Sequence, residues 1–191
     1  MGLVAAVPGG SGLSRDPAQL PWVFGLWHTV YQKGEGQWGL AMQDDLNDAV
    51  TALADLGLAD PTRVCMVGAS YGGYAAMRAA QRDGTKYRSL TGSLYGKARS
   101  GWLRTQAPDL KSVSPVNYPE QVSIPLLLVH GEQDDVVPII HSRTMAQKLK
   151  SAGKDVTYIV QPEADHHFSR TEDRLEFLKA LEAFLAKHNP A

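Results

Sequence analysis

One cysteine occurs in 191 residues, so the chain cannot form an internal disulfide. Cys65 lies in Val64-Cys65-Met66-Val67, an apolar setting in which a thiol behaves as a small buried hydrophobe. Charge of one sign is also scarce: 19 Lys and Arg face 20 Asp and Glu, and no block of like charge stands out. That balance removes the electrostatic footprint of a nucleic-acid binder and leaves no acidic tail. No apolar run approaches the roughly 18 residues that suggest a membrane span. The stretch from Met1 to Val7 lacks the basic lead and long apolar core of a secretory leader. A cytoplasmic protein without nucleic-acid or membrane partners is the expectation. Repeats and low-complexity tracts are absent too. His130, Asp134, His166 and His167 show no helical H-x-x-x-H or comparable ligand spacing, so no metal is expected.

What is present fits one globular domain over residues 1–191, with 43% of the residues hydrophobic. Leu3-Val4-Ala5-Ala6-Val7 reads as a short strand that stops at Pro8-Gly9-Gly10-Ser11-Gly12. No clean period follows until about Trp38, and Trp22, Phe24, Trp27 and Tyr31 read as aromatics packing a long loop. From Gln43, the stripe Leu46, Ala49, Val50, Leu53 and Leu56 predicts a helix ended by Gly57. Residues 63–67 read as a strand, 72–82 as a helix, and 89–94 as a further strand. Ile124-Pro125-Leu126-Leu127-Leu128-Val129 is apolar on both faces, as a buried parallel strand requires. Met145 and Leu149 mark the next helix, closed by Gly153, and residues 156–160 the last strand. The final helix, over 171–187, has Ser169 and Glu172 at capping-box spacing and is expected to bury Leu175, Leu178, Leu181 and Leu185. Strands alternating with helices give an α/β fold with a mostly parallel sheet.

The chemistry concentrates in Gly68-Ala69-Ser70-Tyr71-Gly72, between a predicted strand and a predicted helix. A serine on such a sharp turn is held in strained backbone geometry with its hydroxyl exposed above the sheet. Small residues on either side let strand and helix approach, and the Tyr71 N–H, at the start of the helix, faces the place where an oxyanion would form. A serine hydroxyl needs a base, and the base an orienting acid. On this fold they follow in the order Ser, Asp, His, on loops after later strands. Two segments qualify: His130-Gly131-Glu132-Gln133-Asp134-Asp135-Val136-Val137-Pro138 and Pro162-Glu163-Ala164-Asp165-His166-His167-Phe168.

These segments resemble three ordered motifs of the prolyl oligopeptidase family. Gly68 to Tyr74 is similar to its G-x-S-Y-G-G-Y motif, Leu126 to Pro138 to L-L-L-x-H-G-x-x-D-x-x-V-P, and Pro162 to Phe168 to P-x-x-x-H-x-F. Gly36-Gln37-Trp38-Gly39 with Asp44-Asp45, and Ser114-Pro115-Val116-Asn117-Tyr118, are further similar segments, closest to the dipeptidyl-peptidase and acylaminoacyl-peptidase branch. The resemblance implies an α/β-hydrolase fold, helices on both faces of the sheet, and a serine hydrolase acting on a peptide, amide or ester bond without a cofactor. Ser70 becomes the nucleophile, Asp134 the acid, His166 the base and Tyr71 N–H the oxyanion donor. Asp135 then faces solvent or pins the loop, and His167, at a position that is often glycine in the family, lines the site or packs beside Phe168.

The resemblance also implies an N-terminally truncated catalytic domain with no β-propeller. The strand bearing the family's H-G-G-P loop, source of a second oxyanion donor, has no counterpart among these residues. Residues 3–7 resemble the strand that lies beyond it. Either residues 3–7 then pair directly with the strand at 63–67, a partner such as a second copy in a homo-oligomer covers the exposed sheet edges, or the chain is a fragment. A short-chain carboxylesterase and an inactive assembly module are the competing expectations.

Overall fold

The apolar run from Leu126 to Val129 has no polar face, and it builds the most deeply buried strand of the fold. The computed structural model describes residues 32–87, 89–92 and 109–190. In chain order these form α1 (Ala41–Asp55), β1 (Cys65–Val67), α2 (Tyr71–Arg82), β2 (Ser89–Gly92), β3 (Leu126–Gly131), α3 (Ile140–Ser151), β4 (Val156–Gln161) and α4 (Thr171–His188). Two short 3₁₀ turns, Pro115–Asn117 and Pro119–Gln121, precede β3. The expected strand at 3–7, the loop aromatics Trp22, Phe24, Trp27 and Tyr31 that follow it, and Ser93 and Leu94 lie outside the described residues.

The four strands are parallel in the order β1-β2-β3-β4, with Leu126 opposite Val156 and Gly131 opposite Gln161. Parallel neighbours need crossover connections, so their carboxyl ends share one edge of the sheet. Side chains alternate across β3. Leu126 and Leu128 enter one core with Met66, Met77, Met145 and Leu149, beneath α1, α2 and α3. Leu127 and Val129 enter the other with Ile159, Phe177 and Phe184, beneath α4. Helices thus cover both faces. None of the described helices is long and apolar enough to cross a membrane.

Three details differ from the expected patterns. Helix α1 buries Gln43, Asn47 and Val50, while Leu56 stays exposed. Asn47 earns its buried place because its Oδ1 accepts a 2.7 Å hydrogen bond from the buried Tyr87 hydroxyl. Helix α4 turns Phe177, Ala180 and Phe184 inward, leaving Leu175 and Leu178 50% and 56% exposed. The aromatic face wins because each ring removes more apolar area from water than a leucine does. The capping box at Ser169 does not form: Arg170 is the N-cap, without a side-chain cap bond. Ser169 is held instead through its N–H, which donates to Asp165 Oδ1 at 2.9 Å.

Candidate active site

Ser70 sits between β1 and α2 with φ 55 and ψ −121, a conformation few non-glycine residues adopt. The turn is tight at one shoulder only. A Cβ on Gly68 would come within 2.2 Å of the Gly72 carbonyl oxygen, whereas one on Gly72 would meet nothing within 4 Å among the described residues. Close approach therefore requires glycine at position 68 and not at 72, a correction to the symmetric expectation. The Ser70 side chain makes no capping bond to the helix. Tyr71 is the first helical residue, so its N–H has no intrahelical acceptor and points out along the positive end of α2.

An aromatic wall backs this turn. The Tyr71 ring meets Trp38 edge-on at 4.6 Å, and Tyr74 lies 5.7 Å from Tyr71. Burial pushes both phenols up, Tyr74 to about 12, so each stays protonated and acts as a donor. Tyr71 OH points at Met42 Sδ, and Tyr74 OH donates to Val113 O at 2.9 Å. Gly39, at φ 69, leaves room for that hydroxyl, since a Cβ there would sit 2.2 Å from it. Arg78, also buried, donates to Gly39 O at 3.0 Å and to Ser112 O at 3.1 Å. Two chain segments remote in sequence are thereby fixed to the helix that follows the serine.

At the carboxyl end of β3 the turn after Gly131 wraps around one carboxylate. Asp134 Oδ1 accepts the Val136 N–H at 3.0 Å and the Val137 N–H at 2.7 Å. Its Oδ2 faces His166 Nδ1 at 2.9 Å, and the Asp134 side chain is only 3% exposed. Asp135 is exposed. A carboxylate accepts, so the bond to Oδ2 places the His166 proton on Nδ1 and leaves Nε2 as the basic nitrogen.

His166 reaches that oxygen because its loop lies against the end of β3. Gln133 N–H donates to Ala164 O at 3.0 Å, and Gln133 Nε2 donates to Pro162 O at 3.0 Å. Gly131 allows the contact, since a Cβ there would stand 2.2 Å from Ala164 O. Asp165 shapes the next turn by accepting the N–H groups of His167 and Ser169, and hydrogen bonding from the Ser169 side chain and backbone holds its carboxyl below the usual carboxylate range. Phe168, at φ 48, turns its ring inward to Phe177. His167 remains exposed, its ring edge-on to His166 at 5.1 Å.

The structure thus brings Asp134 and His166 together, and sets Ser70 at the carboxyl end of β1 on the same edge of the sheet. No hydrogen bond joins Ser70 to His166 among the described residues. Among those residues no group of three His, Cys, Asp or Glu side chains is arranged to hold a metal. Motif spacing gave no sign of the roles of Gly131, Asp165 and Arg78. A glycine directly after an apolar strand is the one signal that hints at a close backbone approach there.

Known proteins supply the context. The sequence pattern described as the prolyl oligopeptidase family matches residues 27–93 and 85–190. Dipeptidyl aminopeptidase BIII of Pseudoxanthomonas mexicana is 28% identical over 177 residues, covering 81% of this chain and 26% of that protein. Acyl-protein thioesterase 1 of Gibberella zeae is 31% identical over 130 residues, covering 68% of this chain and 50% of that protein. An acylaminoacyl peptidase structure from Pyrococcus horikoshii superposes with a TM-score of 0.75 at 22% identity, covering 83% of this chain and 29% of that one. The chain spans about a quarter of the length of the peptidases it matches. Since the matched residues hold the serine turn, the acid turn and the histidine loop alike, the chain belongs to the prolyl oligopeptidase family.

Proposed function

We propose that the chain carries the catalytic groups of a serine hydrolase that cleaves a peptide, amide or ester bond through an acyl-enzyme. The observation that supports it most directly is the 2.9 Å bond from His166 Nδ1 to Asp134 Oδ2, on the sheet edge that also bears the strained Ser70. Ser70 Oγ attacks the carbonyl carbon as His166 Nε2 takes the hydroxyl proton. The carbonyl oxygen gains negative charge and accepts the Tyr71 N–H. His166 then gives its proton to the leaving group, which departs as amine or alcohol and leaves an ester on Ser70. Water repeats the sequence: His166 takes its proton, the carboxylic acid forms, and the proton returns to Ser70. Asp134 fixes the imidazole tautomer and stabilises its charged form throughout. The open Nε2 closes onto the serine in the substrate complex, since catalytic hydrogen bonds are often long in unliganded enzymes.

A peptide is the first substrate class, because the matched family and its aminopeptidase relative are named for peptide cleavage. The thioesterase relative favours a second, an acyl ester handled by the same residues. A cytoplasmic setting and self-association at a sheet edge belong to the same reading. In support, the one thiol is buried, and β1 and β4 each pair on a single side among the described residues. The test is labelling with a fluorophosphonate: wild-type chain should take up the probe, and Ser70→Ala should not. Equal labelling of both would overturn the assignment.

A further inference from the structure

We propose that His130 is a positioning residue for Asp134, its buried imidazole N–H clipping the acid turn shut at Val137 O and lying beside the carboxylate oxygen that orients His166. The inference deepens the proposed function and rests on its reading of Asp134 and His166. His130 is the penultimate residue of strand β3, next to Gly131, and is 1% exposed. Its Nε2 lies 2.9 Å from Val137 O. A carbonyl oxygen can only accept, so Nε2 carries a proton. The same nitrogen is 3.4 Å from Asp134 Oδ2. The other ring nitrogen, Nδ1, is buried without a partner among the described residues.

Burying a polar nitrogen unpaired is unfavourable, so an apolar residue would suit this place better if packing were all it supplied. What an apolar residue lacks is the donor. Val137 is gripped from both ends: its carbonyl accepts from His130, while its own N–H donates to Asp134 Oδ1 at 2.7 Å. Releasing the carbonyl loosens the residue that orients the carboxylate. Oδ2 meanwhile faces two imidazoles, His166 Nδ1 at 2.9 Å and His130 Nε2 at 3.4 Å. The second N–H draws negative charge from that oxygen and moderates its pull on the proton of His166. Asp134 and His166 are the titratable groups facing the ring, from the turn after β3 and the loop after β4. Desolvation holds His130 below the ordinary histidine range, so it stays neutral beside His166 and adds no competing positive charge.

The test compares His130→Leu, which deletes the donor, with His130→Gln, whose amide nitrogen reaches about as far as Nε2. Both are made in the full 191-residue chain. One readout is the pH dependence of fluorophosphonate labelling at Ser70, corrected for folded fraction. The other is the low-field proton NMR signal of an imidazole N–H bonded to a carboxylate, which needs no turnover. His130→Leu should slow labelling roughly three- to tenfold, the range for losing one neutral hydrogen bond. Its acid limb should move to higher pH, because the carboxylate then holds the imidazolium more tightly, and the low-field proton should broaden or vanish. His130→Gln should recover most of the rate and keep the signal. A fold defect alone would lower amplitudes without moving the acid limb.

Wild-type behaviour in His130→Leu, or equal damage in His130→Gln, would overturn the inference, as would absence of the low-field proton from the wild type. If the wild type fails to label yet its low-field proton is lost in His130→Leu and kept in His130→Gln, the proposed function falls and the positioning role stands. Should His130→Leu not fold, His130→Asn replaces it: the shorter amide stays polar but stops short of Val137 O, and the same losses are expected.

Discussion

Asp134 and Asp135 are neighbours of identical chemistry with opposite surroundings. The first is 3% exposed and accepts two backbone N–H groups and one imidazole, while the second is exposed. Asp134→Asn should therefore reduce ester hydrolysis by about 10⁴, because an amide in place of the carboxylate favours the wrong imidazole tautomer. Asp135→Asn should leave the rate within about threefold, since exposed sites away from such networks change little. Initial rates on a p-nitrophenyl ester, at matched folded fraction, check the pair, and equal rates would refute the assignment. His130 makes a pH-dependent contribution at the same scale. Its native pKa is depressed by burial, so above the unfolded value of about 6.5 both states are neutral and stability is complete. As pH falls through that value the unfolded chain takes up a proton that the native state resists, and stability is lost. Denaturant melts at pH 7.5 and 5.5 should show this loss, and His130→Gln should lessen it. His188, also depressed by desolvation, acts in the same direction and remains in both proteins. A loss unchanged by the substitution would count against the buried neutral imidazole.

Helix α4 carries two apolar stripes, and the sheet takes the aromatic one most fully: Leu181 and Leu185 are half-buried, while Leu175 and Leu178 are exposed. Phe184 is 6% exposed against Leu127 and Val129, whereas Leu178 is 56% exposed. Phe184→Ala should cost about 3–5 kcal/mol, the range for emptying a buried aromatic site. Leu178→Ala should stay within about 0.5 kcal/mol, as surface changes usually do. Urea melts of the two variants measure the difference, and a Leu178 penalty matching that of Phe184 would mean that a further surface covers this stripe. The existence of α4 was legible from its period, yet its rotation was not. Leu175, Leu178, Leu181 and Leu185 fall on one helical stripe as readily as Phe177, Ala180 and Phe184, and period alone cannot rank them. Helix α1 teaches the same lesson through Asn47, whose burial depends on the Tyr87 hydroxyl, a partner 40 residues away.

Across the whole molecule, the parallel order β1-β2-β3-β4 gathers the serine turn, the acid turn and the histidine loop at one edge. Tyr71 N–H is the proposed oxyanion donor, and the 191 residues include no H-G-G-P segment to supply another. The chain, expressed as these residues, should turn over an activated ester faster than a matched peptide amide, because loss of one oxyanion donor typically costs about 10²–10³ in rate. Amide leaving groups depend most on full stabilisation. Parallel assays with Ser70→Ala as background decide it, and efficient amide cleavage would mean that a second donor operates. By itself the sequence determined the alternation of strands and helices and the order of the three motifs. These depend on local period, turn chemistry and spacing along the chain. It also singled out Ser70, Asp134 and His166, because strand ends in a parallel sheet share an edge. Tertiary structure alone decided that Gly131 admits the histidine loop, that Gly68 rather than Gly72 carries the close approach, and that His130 reaches both Val137 O and Asp134 Oδ2. Each of those is a contact measured in ångströms between segments brought together by the fold, and nothing in the spacing of residues along the chain encodes it.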